Sequence, residues 1–505
     1  MYRRTKIFLL FNFLVPVSFF IFTVYFMPIG QVFQFDPSDE GIELIKAILY
    51  LDGFPMYTEM WNDQPPFSTA ILAFWMEGFG KSIYSARLLT LCYSTILVWS
   101  FCQTLRIYLG NFIAIVGTLL LIISCNFLRL SVSVMIGLPS LAMVMLSVFT
   151  LALYKQNCDK QYSQLLIYIS GVFLAISLQI KLFSAFIVPV IIFDILQFNF
   201  KKHFQRQLKW SLFFDATLWI IGFSTIYILI GILFNSLNYQ ELLKTHFNHS
   251  VKAAFSRGNS LKLTLSFLLQ DFDYLLLAIL AIKTIIQRKQ WENTLPIIWL
   301  ITGFIVLLNH RPVWYHHYLL LSIPLTWLAS YGLTLSLDFF RQWRWSDRKN
   351  FSKITVSSLA GGLAILSILL IPVKLGVTIF ENHEYVAQSQ DNVQFVNMIL
   401  KHKESTRWLF TDCPIYAFYS SLPIPPEIAV LSDIRIKSKT ITPEQILAVV
   451  KTYHPEQVLL CKSKIIQSYL ASYINQHYLK IYTNHLGSLY LVKEISPSKD
   501  LYLTK

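Results

Sequence analysis

The chain has 505 residues, of which 55% are hydrophobic and 14% charged. A soluble surface draws on about a quarter charged residues, so this composition excludes a string of water-facing domains, and its 40 Phe, 26 Tyr and 12 Trp exclude a disordered chain. The net charge of +14 does not imply a nucleic-acid partner, because the basic residues sit in short blocks between apolar runs, as the positive-inside rule distributes them.

A bilayer core takes about 20 apolar residues per helix. On that measure about eleven spans are expected, at 7–27, 84–105, 111–128, 132–153, 163–180, 182–198, 210–234, 266–286, 294–309, 315–335 and 354–372. The first exceeds the core of a signal peptide and no small-x-small cleavage site follows it, so it reads as a retained anchor. With the N-terminus in the cytoplasm, alternate counting puts Arg3/Arg4/Lys6, Arg106, Lys155/Lys160, Lys201/Lys202/Arg206/Lys209, Arg288/Lys289 and the 341–353 cluster inside. The short opposite loops hold little more than Arg129, Lys181 and Arg311. The expected protein is a multi-pass protein of the inner or plasma membrane with its C-terminus outside.

Three outer segments are too long to be simple connectors: 28–83, 235–265, and the tail from 376 to 505. In the tail, Trp408-Leu409-Phe410 and Val458-Leu459-Leu460 read as buried strands. Thr442-Pro443-Glu444-Gln445 reads as a helix start, with Thr as N-cap and Pro at the first helical position. The expectation is therefore an all-α polytopic domain over 1–375 and a small extracytoplasmic α/β domain over 376–505. No G-x-G-x-x-G or Walker loop is present. The six cysteines are scattered with no C-x-x-C pair, so no disulfide framework or zinc motif is indicated. Cys413 and Cys461, each after an expected strand, could pair.

The first outer loop carries the densest chemistry. A helix beginning at Pro37 places Asp36, Asp39/Glu40 and Glu43 on one face, at i, i+3/i+4 and i+7. Four acids along one face repel each other, which a purely structural helix would avoid. Asp36-Pro37-x-Asp39 is also a capping pattern, with Asp36 as N-cap. Further on come Gly53, Tyr57 and Trp61-Asn62-Asp63-Gln64-Pro65-Pro66-Phe67. Basic candidates on the outer side are Arg87, Arg129, Arg311, His316 and His317, which could stabilise a developing phosphate charge. Asn309-His310-Arg311 and His316-His317 bracket one short loop, although such residues also form interfacial belts. His246 and His249, at i and i+3, could share a divalent metal with Asp63. Asp271-Phe272-Asp273 lies in an apolar span, where acids are expected to face a cavity or its mouth.

An Asp-Glu pair after the first span, a helix, a Gly-x-x-Tyr turn, Trp-x-Asp-x-Pro-Pro and a later Arg87 resemble the GT-C glycosyltransferases. The likeness is to the branch of protein O-mannosyltransferases and aminoarabinose-type lipid A transferases. Trp314-Tyr315-His316-His317-Tyr318-Leu319-Leu320 resembles the motif opening a late span in these families, which includes Tyr318 in the expected substrate-binding set. The resemblance implies an integral-membrane hexosyl- or pentosyltransferase of cell-envelope polysaccharide or glycolipid synthesis. Its donor would be a polyprenyl-phosphate sugar and its acceptor a lipid, glycan or protein on the outer face. It further implies Asp39 as catalytic base with Glu40 as its neighbour, Asp63 at a position that can help bind a metal, and Gln64 where relatives place a phosphate-facing lysine. A second departure is at Met135-Ile136-Gly137-Leu138-Pro139, where many relatives carry an Asp. The rival readings are a transporter or flippase of a lipid-linked sugar, with charges at mid-membrane, and an anchored scaffold.

Overall fold

The computed structural model describes residues 8–30, 39–206, 211–237, 255–345, 356–461 and 463–493. Among these, seven helices are long and apolar enough to cross a membrane: Ile83–Leu109, Gly137–Gln156, Ser163–Ile180, Leu182–Lys202, Phe213–Leu233, Tyr315–Leu337 and Val356–Leu400. An eighth span is bent, with Arg257–Leu269 and Phe272–Gln287 meeting at 78°. Leu10–Phe26, Asn111–Ile123 and Leu295–Asn309 are shorter apolar helices. Every expected span coincides with one of these elements, and the protein is a multi-pass membrane protein. Phe67–Phe79 is a further apolar helix, inside the stretch expected as an outer loop.

In lipid, small residues let helix backbones approach and hydroxyls bond across the contact. Ser147 donates to Ser170 O at 2.8 Å and Ser177 to Ser140 O at 2.9 Å, joining Gly137–Gln156 to Ser163–Ile180. On its other side Ser163–Ile180 meets Ser211–Leu233 so closely that a Cβ on Gly171 would lie 2.2 Å from Trp219 O. Two of the basic residues expected to be cytoplasmic are paired, Lys155 with Asp194 at 2.5 Å and Lys201 with Glu292 at 3.3 Å.

The bend near residue 270 is sealed by charge. Lys374 Nζ lies 2.7 Å from Asp271 and 2.9 Å from Asp273, and both acids are fully buried. Tyr318 donates to the same Asp271 carboxylate, and the Cys125 N–H donates to it at 3.2 Å. The two acids therefore do not face the cavity as expected; a buried lysine neutralises them instead.

Val356–Leu400 is one helix of 45 residues, about 68 Å at 1.5 Å per residue against a bilayer core of about 30 Å. It passes without interruption through the expected boundary at 375/376, and Pro372 lies inside it. Beyond it stands a four-stranded sheet of order β1-β2-β4-β3, with β1 Leu409–Thr411, β2 Gln457–Leu460, β3 Tyr478–Asn484 and β4 Gly487–Val492. β1 and β2 are parallel, and the other neighbours are antiparallel. Helix Pro443–Tyr453 starts as expected, with Thr442 as N-cap and Pro443 first, and Gln445 completes a capping box. Phe395 and Ile399 of the long helix share one core with the sheet and with Leu44, Ile45 and Leu49 of helix Asp39–Leu51. The α/β layer and the acidic helix are thus packed as one unit.

Candidate active site

Helix Asp39–Leu51 sorts its acids onto different faces. Asp39 and Glu43, one turn apart, line a cavity of about 1260 Å³ with Ile42 and Lys46. Glu43 is paired with Lys46 at 2.8 Å. Glu40 turns the other way and is fully buried against Arg87, which it meets through both oxygens at 2.9 and 3.2 Å. The Val134 N–H donates to Glu40 at 2.9 Å, and Arg87 donates to Ile29 O at 2.8 Å. The expectation that all these acids share a face fails here, and the repulsion it implied is removed by partners. Glu40 and Arg87 do not reach the cavity. Their bidentate pair locks the acidic helix to helix Ile83–Leu109.

The far side of the helix is held as closely. A Cβ on Gly41 would lie 2.5 Å from the backbone N of Ile415, which begins the second residue of helix Pro414–Ser420. Backbone faces backbone, so only glycine fits. Asp39 is therefore positioned from both flanks while its own side chain stays 39% exposed.

Asp63 and Gln64 enter the cavity on a folded loop. Gly53 and Tyr57 take positive φ values of 94° and 71° to turn it. The Tyr57 hydroxyl then donates to Gln64 O at 2.7 Å. The Trp61 ring lies under the Arg435 guanidinium at 4.1 Å, tying the loop to the C-terminal domain.

Basic side chains share the cavity with the acids. Arg311, His316 and His317 line the cavity, as does Lys181, which the sequence reading placed on the outer side but did not include in the site. His316 Nδ1 is 3.5 Å from the Asp39 carboxylate. His317 is held by the Trp314 N–H, which donates to its Nδ1 at 3.1 Å, and by stacking on Phe183 at 4.9 Å. Lys181 sits in the break between two spans, with Asp39, Glu43 and Asp63 around it. Burial pushes its ammonium down from the ordinary lysine value, against the pull of those three acids. Gly137 stands at the same corner, where a Cβ would be 3.8 Å from Lys181 Nζ. Arg129 stacks on Tyr385 at 4.2 Å and pairs with Glu381 at 3.5 Å, outside the lining. Residues 411–416 and 429–432 of the C-terminal domain complete the wall.

Tyr318 is corrected from substrate contact to a fully buried partner of Asp271. Asp36, His246 and His249 lie outside the described residues. Among the described residues Asp63, Asp39 and Glu43 do not converge closely enough to form a three-ligand metal group.

Residues 63–230 match the family model described as dolichyl-phosphate-mannose-protein mannosyltransferase. A comparison with curated protein sequences finds no match. Among solved structures, the chain is similar to ArnT from Cupriavidus metallidurans in the apo state, with TM-score 0.63 and 12% identity over 97% of this chain and 98% of that one. The same protein bound to undecaprenyl phosphate gives 0.60 and 12% over 96% and 98%. The oligosaccharyltransferase AglB from Archaeoglobus fulgidus, in complex with an inhibitory peptide and dolichol-phosphate, gives 0.56 and 10% over 96% of this chain and 74% of that one. At such identities the likeness is one of fold. The chain has the GT-C fold that its motifs resemble, with a small sheet at its C-terminal end.

Proposed function

We propose that the protein is a GT-C glycosyltransferase that moves a sugar from a polyprenyl-phosphate donor to a lipid, glycan or protein acceptor on the outer face of the membrane. The observation that carries this reading is the meeting in one cavity of Asp39, on a pinned helix, with Lys181 and Arg311. In the proposed step the acceptor heteroatom attacks the anomeric carbon and the carbon–oxygen bond to phosphate breaks. The lipid phosphate leaves with the electron pair, and Asp39 takes the acceptor's proton. Lys181 and Arg311 stabilise the leaving phosphate from fixed positions. In this chain Lys181 supplies the cation that Gln64 does not. Glu40 and Arg87 act as positioning residues for the base. Asp63 offers one carboxylate to a divalent ion, which would add charge stabilisation at the phosphate.

The known structures support this reading by what they hold: undecaprenyl phosphate in ArnT, and dolichol-phosphate in the oligosaccharyltransferase. The transporter alternative needs functional charge at mid-membrane, and the acids of the bent span, Asp271 and Asp273, are sealed by Lys374. The test is turnover by detergent-purified protein with no vesicle present. Release of polyprenyl phosphate from a lipid-linked sugar is expected, with no release from a nucleotide sugar alone. Turnover with the nucleotide sugar, or none with any lipid-linked sugar, would contradict the proposal.

A further inference from the structure

One group of side chains in the cavity wall has no part in the proposed transfer. β1 and β2 run parallel with Thr411 opposite Leu459. Two residues past that pair, just beyond the strand ends, stand Cys413 and Cys461. Neither cysteine is in a disulfide. Their sulfurs and one Asp412 carboxylate oxygen all lie within 4.8 Å of one another. The carboxylate is aimed by its surroundings, accepting the N–H groups of Cys461 and of Ser463, each at 2.7 Å. Cys413 is buried, Cys461 is half-buried, and all three side chains line the cavity.

We propose that Asp412, Cys413 and Cys461 bind a thiophilic divalent cation, Zn²⁺, with its fourth coordination position open to the cavity. Two sulfurs with one carboxylate suit zinc, whereas calcium and magnesium take six or more oxygen ligands. Donors on a tetrahedral zinc with sulfur bonds of about 2.3 Å lie about 3.8 Å apart, so the observed spacing needs only small side-chain rotations. Each bound oxygen of Asp412 has a lone pair beyond the one its backbone donor uses. Those N–H donors orient the ligand in the way outer partners do at metal sites. On binding, two S–H bonds are lost, two Zn–S bonds form and two protons leave to solvent. A disulfide between the two cysteines is the competing fate, and it would leave the converging carboxylate unused. The site stands whether or not the cavity transfers sugar.

The test uses the full-length protein purified in detergent with a thiol reductant and no chelator. Elemental analysis is expected to find stoichiometric zinc in the wild type and to find it lost in both Cys413→Ser and Cys461→Ser. Cys413 is buried, so its variant can fail to fold; the second measurement needs no variant. After zinc is stripped, Co²⁺ alone is titrated into the wild type, and a thiolate-to-cobalt charge-transfer band should rise to saturation. The proposal is overturned by zinc content unchanged in Cys461→Ser, or by absence of both zinc and the cobalt band. A peptide map showing Cys413 joined to Cys461 in the purified protein would also overturn it.

Discussion

Two charged clusters in this molecule contain the same residue types and differ in what can reach them. In one, Asp39, Asp63 and Lys181 face a cavity of about 1260 Å³. In the other, Asp271 and Asp273 close on Lys374, and Tyr318 and a backbone N–H donate to Asp271 while one oxygen of Asp273 is buried without a hydrogen-bond partner. This ion cluster is buried in a bent span, away from the cavity, and neutralises its own charge there. The first cluster can exchange a proton with something that enters. The acidic helix repeats the contrast within one turn, because Asp39 is open while its neighbour Glu40 is sealed by Arg87.

Substitutions on either side of that contrast should give different signatures. Asp39→Asn should lower turnover by about a hundred- to ten-thousand-fold, the range for removing a general base, with melting nearly unchanged. Glu40→Ala leaves Arg87 buried without its counter-ion and should cost about 3–5 kcal/mol of stability. Thermal unfolding in detergent measures it, and a melting curve matching the wild type would refute the locking role.

Lys181→Gln should act on the donor. A charge-assisted hydrogen bond is worth about 1.5–3 kcal/mol, so kcat/KM for the donor should fall about ten- to a hundredfold, with part of the loss in kcat because the contact strengthens as the phosphate leaves. Because burial lowers the Lys181 pKa, raising pH removes its proton sooner than from an ordinary lysine. Donor affinity should be retained below that lowered value and lost as pH rises through it, and Lys181→Arg should hold affinity to higher pH. The smallest effect belongs to the sealed cluster. Tyr318→Phe removes one hydrogen bond but leaves Lys374 on Asp271, so it should cost about 1 kcal/mol and leave the rate unaltered. A large loss of rate would return Tyr318 to the substrate site.

The spans, the helix start at Thr442 and Pro443 and the first two strands were legible because each rests on local chemistry: apolar length, an N-cap followed by proline, a short apolar run. The long helix was read short because the span was measured by its apolar length, whereas the helix continues through Pro372 and Gly376 into polar sequence. A membrane helix tolerates such residues when neighbours satisfy the backbone. The β3–β4 hairpin was missed, since its exposed face is polar and its alternation weak. Asp39, Asp63, Arg311 and His316, singled out because they stand in dense polar motifs, all line the same cavity. Lys181 was not singled out, although it is the only charge between Ser163 and Phe193, and a lone ionisable residue in an apolar stretch is itself a functional signal. Glu40, Arg87 and Tyr318 were misplaced because sequence shows that a charge exists and not which way it points. Cys413 and Cys461 lie far apart in the chain and meet only through the pairing of two strands.

The most direct test of the central claim compares two neighbouring acids in one detergent, Asp39→Asn beside Glu40→Ala, with turnover on a polyprenyl-linked sugar and thermal melting measured for both. The account predicts a split: Asp39→Asn melts like the wild type and is nearly inactive, while Glu40→Ala melts earlier but, below its transition, turns over more than Asp39→Asn. If Asp39→Asn keeps more than about a tenth of the wild-type rate, well above the general-base range, Asp39 is not the base.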